Sequence, residues 1–187
     1  MPLDPDPPAW ASLVVDVPDF PKPGVRFLDI TPLVGSAAGL REVVAALVRA
    51  VPRDVDVVVG MEARGFIFSV PVALALGVGF APVRKPGKLP RPCVSVTYDL
   101  EYGTETLTLH EDAIAPGARV LIVDDVLATG GTVVATAELV RRLGGTVSQV
   151  AVVMELDVLH GRALLAEHGL NQVSALIHVG SEPAGEA

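Results

Sequence analysis

The sequence predicts an α/β fold, an open and mostly parallel twisted sheet flanked by helices. Three observations carry that expectation. Short apolar runs rich in β-branched residues recur along the chain, at 55–59, 120–123, 147–154 and 173–179. Stretches of helical periodicity separate them, and a parallel sheet needs such crossovers to cover both of its faces. The composition is that of a buried core, with 50% hydrophobic residues, 19% charged and only 4% aromatic among 187.

In order, the first 25 residues hold seven of the 16 prolines and read as irregular chain wrapping the core. Ser36 stands where a helix N-cap would, before Leu40, Val43, Val44, Leu47 and Val51 on one helical face. Val55–Val59 reads as a strand ending at Gly60. From Gly65 to Val83 no residue is charged, enough to span a bilayer by length. Pro71, Pro82, Gly77 and Gly79 interrupt it, so it reads as a buried helix followed by a buried strand. Residues Val94–Tyr98 and Thr104–Leu109 alternate as two strands of a hairpin around 99–103. Val120–Val123 is a buried strand, Thr132–Leu143 a helix stopped by Gly144-Gly145, and Val147–Met154 a strand. Val158–Glu167 reads as a helix and Val173–Val179 as the last strand, with 181–187 a disordered tail. A single domain over 1–180 is expected.

Charge and cysteine usage exclude several functions. A net charge of −8 argues against a general nucleic-acid or membrane-surface binder, so an anionic ligand needs a local basic cluster. The N-terminus lacks a basic and apolar leader, which predicts a cytoplasmic protein. Cys93 stands alone, excluding an internal disulfide, and no histidine neighbours it in sequence, so it reads as inert. The four histidines show no metal-ligand spacing.

The chemistry concentrates in Val120–Thr132, VLIVDDVLATGGT. A buried strand delivers Asp124 and Asp125 to its carboxyl end, where open parallel sheets bind ligands. The loop Ala128-Thr129-Gly130-Gly131-Thr132 then opens a helix, offering backbone N–H groups and two hydroxyls to a phosphate. Gly130 is expected to be bare so that phosphate can reach the backbone. No P-loop lysine follows. A carboxylate pair beside a phosphate cradle suits hydroxyl donors, so the ligand implied is a sugar phosphate.

This string resembles the 5-phosphoribosyl-1-diphosphate motif of the type I phosphoribosyltransferases. Further blocks resemble that family's adenine-specific branch, in its order: Asp19–Gly24 with Phe27 and Asp29–Pro32, Gly60–Phe66, Arg84–Pro90, Tyr98–Gly103 and Glu155–Arg162. The resemblance implies transfer of a phosphoribosyl group to adenine, giving AMP and diphosphate, with Mg²⁺ carried by the diphosphate substrate and no direct protein ligand to metal. It implies diphosphate-substrate contacts at Glu62, Ala63, Arg64, Arg84, Lys85 and Lys88, besides Asp124, Asp125, Ala128, Thr129, Gly130, Gly131 and Thr132. It implies adenine contacts at Arg26, Phe27 and Leu28 in an N-terminal hood (1–35), and a flap (94–110) carrying Tyr102. Catalytic roles fall to Glu101, Arg64 and Asp124. Ala128 stands where 6-oxopurine enzymes carry an acid, which leaves Glu101 as the candidate acid. Leu28 departs from the family's basic residue between Phe27 and Asp29. The resemblance also implies a homodimer near the Arg84–Lys88 strip and a cis peptide at Glu62–Ala63. A transferase for another base, or a non-catalytic ligand sensor on this fold, are the rival readings.

Overall fold

Successive residues of a strand face opposite sides, and the strand through 119–127 divides accordingly. Leu121 and Val123 pack into one apolar layer, Val120 and Ile122 into the other. Both layers are filled, so this strand is central. The computed structural model describes residues 7–24, 27–99 and 103–180.

Five parallel strands form the main sheet, β3 (Val57–Met61), β4 (Gly79–Val83), β7 (Arg119–Leu127), β8 (Thr146–Leu156) and β9 (Val173–Val179). Their order is β4-β3-β7-β8-β9. On one face, α2 (Ala37–Ala50) and α3 (Arg64–Leu76) bury Val43, Leu47, Phe68 and Val72 against Val58, Leu121 and Val153. On the other, α4 (Gly131–Arg142) and α5 (Gly161–Glu167) bury Val133, Leu139 and Leu165 against Val59, Ile122 and Val152. The hairpin of β5 (Cys93–Asp99) and β6 (Thr104–His110) joins this second layer through Val96, Leu107 and Leu109. Among the described residues, no helix is long and apolar enough to cross a membrane.

Ser36 caps α2 as its sequence position requires, its Oγ accepting the Gly39 amide at 3.1 Å. The uncharged stretch divides into α3 and β4, with Pro71 inside the helix and Gly77 ending it at φ 73°. Four expectations need correction. The N-terminal segment is not wholly irregular: a 3₁₀ turn (Ala9–Leu13) leads to β1 (Val15–Val17), antiparallel to β2 (Phe27–Asp29) and followed by the short α1 (Thr31–Gly35). The strand expected at Val55–Val59 runs two residues later, because its parallel partners begin at Gly79 and Val120 opposite Val57. Gly60 lies inside it, where a Cβ would stand 2.2 Å from Ser69 Oγ. The helix expected at Val158–Glu167 breaks at His160 (φ 53°), dividing a 3₁₀ turn (Asp157–Leu159) from α5. Just after the break Gly161 lies against the loop that follows β7, where a Cβ would stand 2.2 Å from the Ala128 carbonyl oxygen.

Candidate active site

The carboxyl ends of β3 and β7, the start of α4 and the hairpin enclose a cavity of about 290 Å³. Asp124 and Asp125 form its floor, and they lie inside β7 near its carboxyl end, because the strand expected at Val120–Val123 runs on to Leu127 by pairing with β8. Asp125 is 3% exposed, and Arg64 Nε lies 2.8 Å from its Oδ2. The guanidinium N–H is not aligned along that contact, so Oδ2 is left without a hydrogen-bond donor. A buried carboxylate oxygen facing a cavity in this state suits a ligand hydroxyl. Asp124 Oδ1 accepts the Asp125 amide at 2.9 Å. Burial, and then the neighbouring Asp125 charge, push the Asp124 carboxyl well above its ordinary range. Burial also raises Asp125, against the opposing pull of Arg64.

The loop after β7 supplies Ala128, Thr129, Gly130 and Thr132 to the wall. Gly130 precedes α4 with φ 89°, a conformation that glycine adopts freely. A Cβ on Gly130 would meet Leu165 Cδ1 at 2.7 Å and the Gly161 carbonyl oxygen at 3.0 Å, so glycine is required by packing against α5 as well as by backbone angle. Gly131 is not on the wall, and its Cα faces the Tyr98 ring.

On the opposite side stand Glu62, Ala63 and Arg64, and the Glu62–Ala63 peptide is cis as expected. Glu62 accepts Arg84 Nε at 2.7 Å and the Lys85 amide at 2.9 Å. Its partial burial opposes ionisation, but the Lys85 amide and Arg84 outweigh this and hold the carboxyl below its ordinary range. Of the basic cluster, Arg64 and Lys85 reach the cavity wall. Arg84 is turned to Glu62 and to the Lys88 carbonyl, and Lys88 is exposed outside the wall.

Sequence reasoning missed the apolar lining residues Val126, Met154 and Leu156 and, among polar groups, Glu105 and Tyr98. Glu105 lines the cavity and pairs with Lys85 Nζ. Tyr98 donates its hydroxyl to the other Glu105 oxygen at 2.8 Å. That one proton being committed, the Thr132 hydroxyl, 3.1 Å away, donates to the Tyr98 oxygen. Burial above all, with the Glu105 hydrogen bond and charge adding and the Thr132 hydroxyl opposing, pushes the Tyr98 hydroxyl up to about 12, and it stays protonated. The signal was present in the hairpin pattern, whose register sets Tyr98 opposite Glu105.

A smaller cavity of about 190 Å³ adjoins the first, lined by Phe27, Leu28, Met154 and Leu156 together with Arg64, Val126 and Ala128. The last three residues also border the larger cavity or, in the case of Arg64, bridge the two walls. Leu28 is 7% exposed, and the Arg64 guanidinium carbon sits 5.1 Å from the Phe27 ring centroid. Phe20 packs edge-on against Phe27. The surface is apolar and suits a flat heterocycle. Arg26, Glu101 and Tyr102 lie outside the described residues, as does the 181–187 tail.

Two further placements differ from expectation. The hairpin brings His110 opposite Cys93, with Nδ1 3.5 Å from Sγ, a neighbour that linear sequence conceals. Neither lines the cavities. Glu155, Asp157 and His178 place ligand atoms within 4.8 Å of one another despite the absence of a spacing signal. Glu155 is already held by Arg162 through two contacts, which opposes a cation there.

Residues 29–169 match the phosphoribosyl transferase domain family. An adenine phosphoribosyltransferase of Cutibacterium acnes is 57% identical over 169 residues, 90% of this chain and 96% of that protein. The solved adenine phosphoribosyltransferase of Thermoanaerobacter pseudethanolicus superposes with a TM-score of 0.86 at 46% identity, covering 90% of this chain and 97% of its own. That of Saccharomyces cerevisiae, complexed with an imino-altritol bisphosphate and adenine, gives 0.81 at 39% identity, covering 89% and 96%. The fold is that of a phosphoribosyltransferase. The chain belongs to the adenine phosphoribosyltransferase family.

Proposed function

We propose that this chain transfers the 5-phosphoribosyl group of 5-phosphoribosyl-1-diphosphate to adenine, giving AMP and diphosphate. The carrying observation is the pair of adjoining cavities at the carboxyl edge of the sheet. One presents a carboxylate pair and a helix-opening loop, the other an apolar slot. In this reading the amides and hydroxyls of 128–132 hold the 5′-phosphate at the start of α4. Asp124 and Asp125 accept the ribose hydroxyls, and their charge favours the cationic character that C1′ gains as its bond to diphosphate breaks. Glu62, Ala63, Arg64 and Lys85 face the diphosphate, with Arg84 and Lys88 adding charge from outside the wall. Mg²⁺ enters on the diphosphate, as part of the substrate.

Adenine stacks in the smaller cavity on Phe27, beside Leu28 and the chain at Arg26, and its ring nitrogen attacks C1′ as diphosphate leaves. Glu101 serves as the acid or base for the purine proton, and Tyr102 closes with it over the reacting centre as a flap, excluding water. The chain acts as a cytoplasmic homodimer, the Arg84–Lys88 strip lying near the partner, and folds as one domain over 1–180 with a hood at 1–35 and a flap at 94–110. The test is incubation with labelled adenine, 5-phosphoribosyl-1-diphosphate and Mg²⁺. AMP formation that requires all three components supports the reading, and its absence with a folded protein refutes it.

A further inference from the structure

Lys85 meets the cavity already paired. Its ammonium touches one Glu105 oxygen while Tyr98 donates to the other, and Thr132 donates to Tyr98 in turn. The hydroxyl, phenol, carboxylate and ammonium form one chain across the cavity, from the helix-opening loop to the Arg84–Lys88 strip. Tyr98 and Glu105 are directly opposed in the antiparallel register, and the Tyr98 ring rests on Gly131 at the foot of α4. The carboxylate is therefore held in place by the fold.

We propose that Glu105 is a resident counter-ion of Lys85 which the incoming diphosphate displaces, and that Tyr98 positions it for that exchange. The inference rests on the reading of the larger cavity as the site of the diphosphate substrate. A carboxylate on that wall repels a diphosphate and neutralises a cation that would otherwise attract it. It thus weakens the grip on the anion and takes Lys85 back when diphosphate departs. Glu105 and Tyr98 are positioning residues, acting through Lys85. The same chain couples the two ends of the substrate, since a 5′-phosphate that claims the Thr132 hydroxyl removes a donor from Tyr98.

The direction of the effect separates this role from a structural one. A carboxylate that only braces the hairpin would weaken ligand binding when removed. A resident counter-ion would strengthen it. The experiment compares wild type, Glu105→Gln, Tyr98→Phe, Lys85→Met and the Lys85→Met/Glu105→Gln double variant. It measures the inhibition constant of Mg-diphosphate, and KM and kcat for 5-phosphoribosyl-1-diphosphate. Glu105→Gln is expected to lower both the inhibition constant and KM by roughly three- to fivefold, without raising kcat, the size a partly exposed ion pair supports. Tyr98→Phe keeps the ring and loses the hydroxyl, and is expected to shift both constants the same way by less. The Lys85→Met background should abolish the Glu105→Gln effect. Unchanged or weakened diphosphate binding in folded Glu105→Gln overturns the proposal, as does an equal effect without Lys85. Should Glu105→Gln not fold, the direction of the Tyr98→Phe shift decides in the same terms. A wild type that makes no AMP and ignores diphosphate overturns the substrate assignment and the proposal together.

Discussion

Gly65 and Asp124 approach so closely that a Cβ on the glycine would stand 2.5 Å from the carboxylate Oδ1. A glycine at the start of α3 thus makes room for an acid at the end of β7. Gly65→Ala should favour the helix locally by about 1 kcal/mol while pushing the carboxylate aside. A displacement near 1 Å in a reacting site costs up to about 100-fold. The expected outcome is a large fall in kcat with a melting temperature close to wild type. Full activity in the alanine variant would show that the position of Asp124 is not critical.

Asp124 should cost stability at neutral pH. Its carboxyl and that of Asp125 are raised, by burial first in each case, so the folded chain binds more protons than the unfolded one above the ordinary carboxylate range. Their contribution to stability is therefore present at acid pH and lost as pH rises through the folded values. Asp124→Asn keeps an oxygen for the Asp125 amide and removes the charge. It should melt higher than wild type at pH 7–8, by roughly 2–4 °C for a gain near 1 kcal/mol. The gap should narrow as pH falls toward the range where both acids are protonated. Thermal melts of the two proteins from pH 4 to 8 check the sign, and activity should be lost in the variant throughout.

Thr132 and Gly130 should fail in different ways. Thr132→Ala removes a hydroxyl from the loop and from Tyr98, so KM for the diphosphate substrate should rise several-fold with little change in melting. Gly130→Val forces a side chain against Leu165 and the Gly161 carbonyl at a left-handed φ. It should lose roughly 2–3 kcal/mol of stability besides its affinity. Melting curves beside substrate titrations distinguish the two.

The Leu28 side chain lines the smaller cavity and carries no hydrogen-bonding group. Leu28→Ala should therefore raise KM for adenine by about 10-fold, from roughly 1–3 kcal/mol of lost apolar contact. The preference for adenine over hypoxanthine should persist, because an alkyl side chain cannot read the base edge through hydrogen bonds. Comparing kcat/KM for adenine, hypoxanthine, guanine and xanthine tests this. A reversed preference would make position 28 the reader. Leu28→Arg would instead bury an unpaired charge at a site 7% exposed, and its expected first effect is loss of stability.

What could be read from the sequence was what local pattern controls. The alternation in Val94–Tyr98 and Thr104–Leu109 is a property of a half-buried ribbon, and the hairpin forms there in register. The acid pair and the loop after it are contiguous, so their placement at one sheet edge followed from the strand and helix on either side. The break at His160 adjoins a glycine inside the expected helix, but the close approach of the Ala128 carbonyl to Gly161 comes from packing of the loop on α5 and had no local sign. Gly130 was legible as a turn but not as a contact of Leu165, for the same reason. The Cys93–His110 and Tyr98–Glu105 pairs were implicit in the hairpin, yet needed its register rather than the order of residues along the chain.

Arg64, Val126 and Ala128 are common to the linings of the two cavities, whereas Phe27, Leu28, Met154 and Leu156 belong to the smaller one alone. Under the proposed assignment of the two cavities, base preference and sugar-phosphate affinity are separable traits over most of the surface. Divergence toward other heterocycles could proceed through the four residues private to the slot while the cradle stays intact. Changes at the three common positions would alter both traits at once, and mutational scans scored separately for each substrate should find pleiotropy concentrated there.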